Sequence, residues 1–109
     1  MRKGDYLGQF ELMVLLALMR LGDDAYGVTI ANELEQQTGR EVVIASVYAT
    51  LERLQDRRLV GSSLGDATPE RGGRAKRIFR ITGAGLREVR DARQSLMSLW
   101  KGLPELKGQ

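Results

Sequence analysis

Between residues 7 and 21 the chain is apolar nearly all the way round: Phe10, Leu12, Met13, Val14, Leu15, Leu16, Leu18, Met19 and Leu21 leave Glu11 and Arg20 as the only charges. Such a segment reads as a helix buried on several sides. At 109 residues the chain has room for one core, so this is the central helix and the remaining elements must be arranged to cover it. Its longest unbroken apolar run, residues 12–19, spans eight residues, where a bilayer needs ~20.

Gly22-Asp23-Asp24 breaks that helix, and Ala25-Tyr26-Gly27 leads into a short second one with Ile30, Ala31 and Leu34 on one face and Gly39 as its stop. After the turn at Gly39-Arg40-Glu41 and the β-branched residues 42–44, a third helix is expected over about residues 45–58. Val47, Leu51 and Leu54 form its core stripe at i, i+4 and i+7. Ser46, Thr50, Arg53 and Arg57 form a second stripe of hydrogen-bonding and cationic groups, read as exposed and as offering itself to a partner. Val43, just ahead, carries no capping oxygen, where a residue such as Ser is usual.

Residues 59–64 and 76–82 are short and β-compatible, and the Gly, Pro and Arg-rich stretch between them reads as a long hairpin loop. Thr82 then caps a last helix over about residues 84–102. There Leu86, Val89, Ala92, Leu96, Leu99 and Leu103, with Trp100 beside them, make a stripe that needs a cover. The order of three helices, a basic hairpin and a final helix defines a mainly α (α+β) fold, a winged helix-turn-helix with a C-terminal dimerisation helix. Residues 1–83 would form the DNA-binding domain and residues 84–109 the dimerisation helix and tail.

Charge and chemistry narrow the function. Residues 1–58 hold seven basic and nine acidic side chains, residues 59–109 ten basic and five acidic, so the cationic character is local. Arg71, Arg74, Lys76, Arg77 and Arg80 crowd into ten residues opposed only by Glu70, a density suited to a polyanion. In Arg71-Gly72-Gly73-Arg74 two glycines let the loop approach a duplex closely while the guanidiniums meet phosphates. The chain has no histidine and no cysteine, which removes the commonest general base, thiolate chemistry and the Cys/His metal sites. No enzyme, metal or cofactor is expected. Without a signal-like cleavage pattern the expected location is the cytoplasm.

The stretches Gly8-Gln9-Phe10-Glu11-Leu12, Ala25-Tyr26-Gly27, Ser46-Val47-Tyr48-Ala49-Thr50-Leu51-Glu52-Arg53-Leu54, Pro69-Glu70-Arg71-Gly72-Gly73-Arg74 and Phe79-Arg80-Ile81-Thr82, in this order, resemble the PadR family over nearly the whole chain. The resemblance implies a dimeric transcriptional repressor, often autoregulatory, released from a pseudo-palindromic operator by a small aromatic or hydrophobic effector in many members. The length fits the short form with a single C-terminal helix.

The expected DNA contacts are Ser46, Thr50, Arg53 and Arg57 on the third helix, with Arg53 suited to guanine, and Arg71, Arg74, Lys76 and Arg77 on phosphates. Tyr26 and Tyr48 are either packing residues with a hydroxyl on a polar partner or phosphate contacts. Leu86, Val89, Leu96, Leu99, Trp100 and Leu103 would join two subunits. An effector pocket, if one exists between subunits, would draw on Trp100, Met97, Leu96 and Met13. The competing reading is a winged-helix protein-interaction module without DNA binding.

Overall fold

The computed structural model describes residues 6–65 and 76–104. These form α1 (Gln9–Leu21), a 3-10 turn (Gly22–Asp24), α2 (Gly27–Thr38), α3 (Ile44–Asp56), β1 (Val60–Leu64), β2 (Arg77–Ile81) and α4 (Gly83–Trp100). Helix α1 starts at Gln9 because the Gly8 N–H donates to Glu11 Oε1 at 2.8 Å, a cap supplied from within the first turn. It touches α2, α3, α4 and β2, and Val14, Leu15, Ala17 and Leu18 are buried. The expectation of burial on several sides needs one correction, since Leu16 and Met19 stay exposed. The elements that cover α1 leave one side of it open to solvent.

Helix α2 buries Ile30, Ala31 and Leu34 and stops at Gly39, whose left-handed φ of 71° and N–H bond to the Glu35 carbonyl close the last turn. Across to α1, Arg20 Nε donates to Glu33 Oε2 at 2.7 Å and Gln37 Nε2 donates to the same oxygen at 3.0 Å. These donors hold the Glu33 carboxyl below its usual pKa. Its contribution to stability is therefore complete at neutral pH and disappears as the pH falls through that lowered value.

Helix α3 includes Ile44 and Ala45 although Val43 caps it with no side-chain bond. The backbone closes the start instead, with the N–H groups of Ser46 and Val47 both on the Val43 carbonyl at 3.0 and 3.3 Å. At the other end the Arg58 N–H bonds the Gln55 carbonyl and the Leu59 N–H bonds the Leu54 carbonyl, both at 2.9 Å. Arg58 sits in this Schellman turn at φ 62°, the position glycine normally fills. Arg58→Gly is expected to raise stability by about 0.5 kcal/mol, the left-handed cost of a side chain less glycine's extra entropy. A melting temperature that falls would contradict this.

Strands β1 and β2 pair antiparallel with Val60 opposite Ile81 and Leu64 opposite Arg77. The other edge of β2 is occupied too, because the Phe79 N–H donates to the Ala25 carbonyl at 2.8 Å. That bond fastens the wing to the connection between α1 and α2. Thr82 caps α4 as expected, accepting from the Gly85 N–H at 3.0 Å while its hydroxyl donates to the Arg58 carbonyl at 2.8 Å. Gly85 lies directly on the Leu59 carbonyl and Ile81.

One core joins Val14, Leu15 and Leu18 of α1, Ile30 and Leu34 of α2, Val47, Leu51 and Leu54 of α3, Phe79 of β2 and Val89 of α4. The start of α4 is thus part of this core, and Val89, at 7% exposure, is spent inside its own subunit. That corrects its assignment to a subunit interface. Beyond it, Leu96, Leu99, Trp100 and Leu103 are 44%, 75%, 56% and 62% exposed. No helix among the described residues is long and apolar enough to cross a membrane.

Candidate nucleic-acid interface

Helix α3 turns Val47, Thr50, Leu51 and Leu54 inward and leaves Ala45, Ser46, Tyr48, Ala49, Glu52 and Arg53 exposed. Thr50, expected on the outward stripe, is 1% exposed. Stepping about 100° per residue puts it only about 40° from Leu54, so it falls on the edge of the core face. Its hydroxyl is not idle: it accepts from Arg53 Nη2 at 3.1 Å. Thr50 is a second-tier support for Arg53 and lies away from the surface a duplex would touch.

Arg57, also expected outward, turns to the junction of three helices. Its Nη1 lies 3.7 Å from Glu11 Oε1 on α1 and its Nη2 lies 3.9 Å from Glu88 Oε1 on α4. Arg53 shares Glu11, with Nε 3.7 Å from Oε2, but its side chain remains 58% exposed. Of the four stripe residues, Ser46 and Arg53 are the two that the fold presents to solvent.

The Ala25-Tyr26-Gly27 motif acquires a packing reason at this surface. Gly27 opens α2, and a Cβ there would collide with the Tyr48 hydroxyl. Tyr48 therefore lays its ring across the start of α2 and brings its hydroxyl to a helix N-terminus, where backbone N–H groups lack intrahelical partners. Tyr26 does something different: its ring lies under Lys76, whose Nζ is 3.9 Å from the ring centroid. Lys76 also lies 3.9 Å from Asp24 Oδ1 and keeps only 17% of its side chain exposed. It pins the wing to the α1–α2 connection, a contact that competes with any phosphate.

On the sheet, Arg77 Nη1 donates to Ser62 Oγ at 3.0 Å and otherwise faces solvent. Arg80 bridges Asp23 at 3.1 Å and Ser63 at 3.3 Å. Arg71 and Arg74 lie outside the described residues. Glu11, Glu88 and Asp23, which set where the arginines point, were missed by sequence reasoning. They are distant in the chain from their partners, and a pattern read along one helix or turn at a time does not pair them.

The expected effector residues line different clefts among the described residues. Leu96 and Trp100 line a cleft with Leu7 and Leu12 between the start of α1 and α4. Met97 lines a groove on another side of α4 with Arg90, Arg93 and Trp100. Met13 lies in a third, between α1 and α2, with Leu16 and Glu33. The reason is helical phase: Leu12 faces α4, and Met13, about 100° further round, does not.

Three helices around one core, a two-stranded wing pinned to the turn before the second helix and an outward third helix define a winged helix-turn-helix protein. The family model for the transcriptional regulator PadR-like family matches residues 15–91, and the chain belongs to that family. Solved structures agree on the fold. A PadR family regulator from Clostridium difficile is 21% identical, with a TM-score of 0.71 over 86% of this chain and 93% of that one. A PadR-like transcription factor from Bacteroides fragilis is 23% identical, with a TM-score of 0.71 and 84% of each chain covered. A PadR family regulator from Eggerthella lenta is 25% identical, with a TM-score of 0.67 over 83% and 76%. No curated protein sequence matches the chain.

Proposed function

We propose that this transcriptional regulator is a homodimer that binds a pseudo-palindromic operator, acts there as a repressor and is released by a small aromatic or hydrophobic effector. The observation that carries the DNA reading is the exposed Arg53 on α3. Its Nη2 is tied to Thr50 and its Nε faces Glu11, which leaves Nη1 with no partner among the described residues. Nη1, together with the second N–H of Nη2, then makes the fork that a bidentate contact to guanine O6 and N7 requires. Ser46, seven residues earlier, stands on the same face of the helix, and Tyr48 lies further round, against the start of α2. Arg77, with Arg71 and Arg74 of the segment joining the strands, supplies phosphate contacts that carry no sequence information.

Dimerisation is supported by the exposed apolar end of α4, where Leu96, Leu99 and Trp100, with Leu103 just past it, stay largely open to solvent among the described residues. Two copies related by a twofold axis would present two third helices to successive half-sites. The effector reading is supported by the cleft of Leu7, Leu12, Leu96 and Trp100, which is mostly apolar and abuts the same end of α4.

The division of labour has a direct test in fluorescence anisotropy against the chain's own upstream promoter fragment and a scrambled duplex. Arg53→Ala is expected to lower the preference for the promoter by about 1–3 kcal/mol per half-site, the worth of one bidentate base contact in each subunit. Arg74→Ala is expected to weaken both duplexes alike and to reduce the salt slope by about one per subunit. Equal behaviour of the two variants would reject the assignment of roles.

A further inference from the structure

We propose that Glu11 is a positioning residue that turns Arg53 from a general phosphate binder into a reader of base edges. The inference rests on the DNA reading above and assigns a role to a residue on α1, outside the helix-turn-helix pair of α2 and α3. Glu11 is itself fixed. Its Oε1 accepts the Gly8 N–H at 2.8 Å, and its side chain is only 15% exposed. From that anchored position Oε2 stands 3.7 Å from Arg53 Nε, while Oε1 stands 3.7 Å from Arg57 Nη1. Arg57 is held from its other side by Glu88 of α4 at 3.9 Å.

Two physical consequences follow for Arg53. The first is electrostatic: a carboxylate this close cancels much of the guanidinium's field at the distance of a phosphate, so its sequence-independent attraction to any duplex is reduced. The second is geometric. With Nε facing Glu11 and Nη2 donating to Thr50 at 3.1 Å, the side chain has less freedom to lose on binding, and its distal end, where Nη1 has no partner among the described residues, stays presented. A bidentate contact to guanine is short-ranged and directional and survives the first effect. Glu11 thus suppresses binding to the wrong sequence more than to the right one, which is how selectivity is gained without a new contact.

Glu11→Gln separates this role from the structural one, because the amide oxygen can still accept the Gly8 N–H while the charge is gone. In the full chain, affinity for the scrambled duplex is expected to rise about two- to fivefold, the range of a partly exposed ion pair. The slope of log affinity against log salt is expected to steepen by about one per subunit, and the ratio of promoter to scrambled binding to fall by the same two- to fivefold. In an Arg53→Ala background the second substitution is expected to leave that ratio unchanged. A Glu11→Gln chain with the wild-type ratio and slope overturns the proposal, as does an equal fall in the ratio when Arg53 is already absent. A wild-type chain that binds neither duplex removes the DNA reading itself, a different failure from a promoter preference that ignores Glu11.

Discussion

Leu96→Asp together with Leu99→Asp is expected to yield a folded monomer that binds a two-half-site duplex about 100-fold or more weakly than the parent chain, because the second half-site is no longer engaged by a tethered partner. The two leucines are 44% and 75% exposed at the end of α4, past the residues that enter the core. Helical content by circular dichroism is therefore expected to survive, and the change belongs to association alone. Burying two carboxylates against an apolar partner face is prohibitive unless they are paired. Light scattering gives the mass and anisotropy the affinity. A variant that remains dimeric would place the subunit contact elsewhere on the molecule.

Gly85→Ala is expected to cost about 2–3 kcal/mol of stability, the upper range for forcing extra volume into a packed site. The new methyl would overlap the Leu59 carbonyl and come within 2.6 Å of Ile81 Cγ1. That carbonyl cannot easily retreat, since it accepts the Thr82 N–H at 3.0 Å. The wing, the α4 cap and the end of α3 all meet at this point, so relief at one contact disturbs the others. Gly27→Ala provides the contrast. There the obstructing atoms are the far end of the exposed Tyr48 side chain, which can swing aside at small cost to stability while its hydroxyl leaves the start of α2. Chemical denaturation of both variants checks the pair, and equal midpoints would refute the close seating of α4 on the wing.

Periodicity made the core legible. Val47, Leu51 and Leu54 are the buried stripe of α3, Ile30, Ala31 and Leu34 that of α2, and Gly39 and Thr82 close their helices as their chemistry requires. The errors have a common origin in reading side-chain type before angle. Thr50 and Arg57 look like interface residues by chemistry, yet Thr50 falls on the edge of the core face and Arg57, the residue that caps the end of α3, reaches across to Glu11 and Glu88. Val89 shows the reverse: its place in a leucine-like repeat suggested a partner, but the first part of α4 already has one in its own domain. Arg58 carries no signal at all, since nothing in an arginine announces a left-handed turn. Ion pairs such as Arg53 with Glu11 join residues about forty positions apart, and only the folded chain brings them together.

The central claim is that α3 and the wing read a specific duplex, and the measurement closest to it is anisotropy of the intact chain against its own promoter fragment and a scrambled duplex at two salt concentrations. Promoter binding is expected to be at least about tenfold tighter than scrambled, with both weakening steeply as salt rises. Binding to neither duplex, or equal salt-insensitive binding to both, would contradict it and favour a winged-helix module that docks on protein.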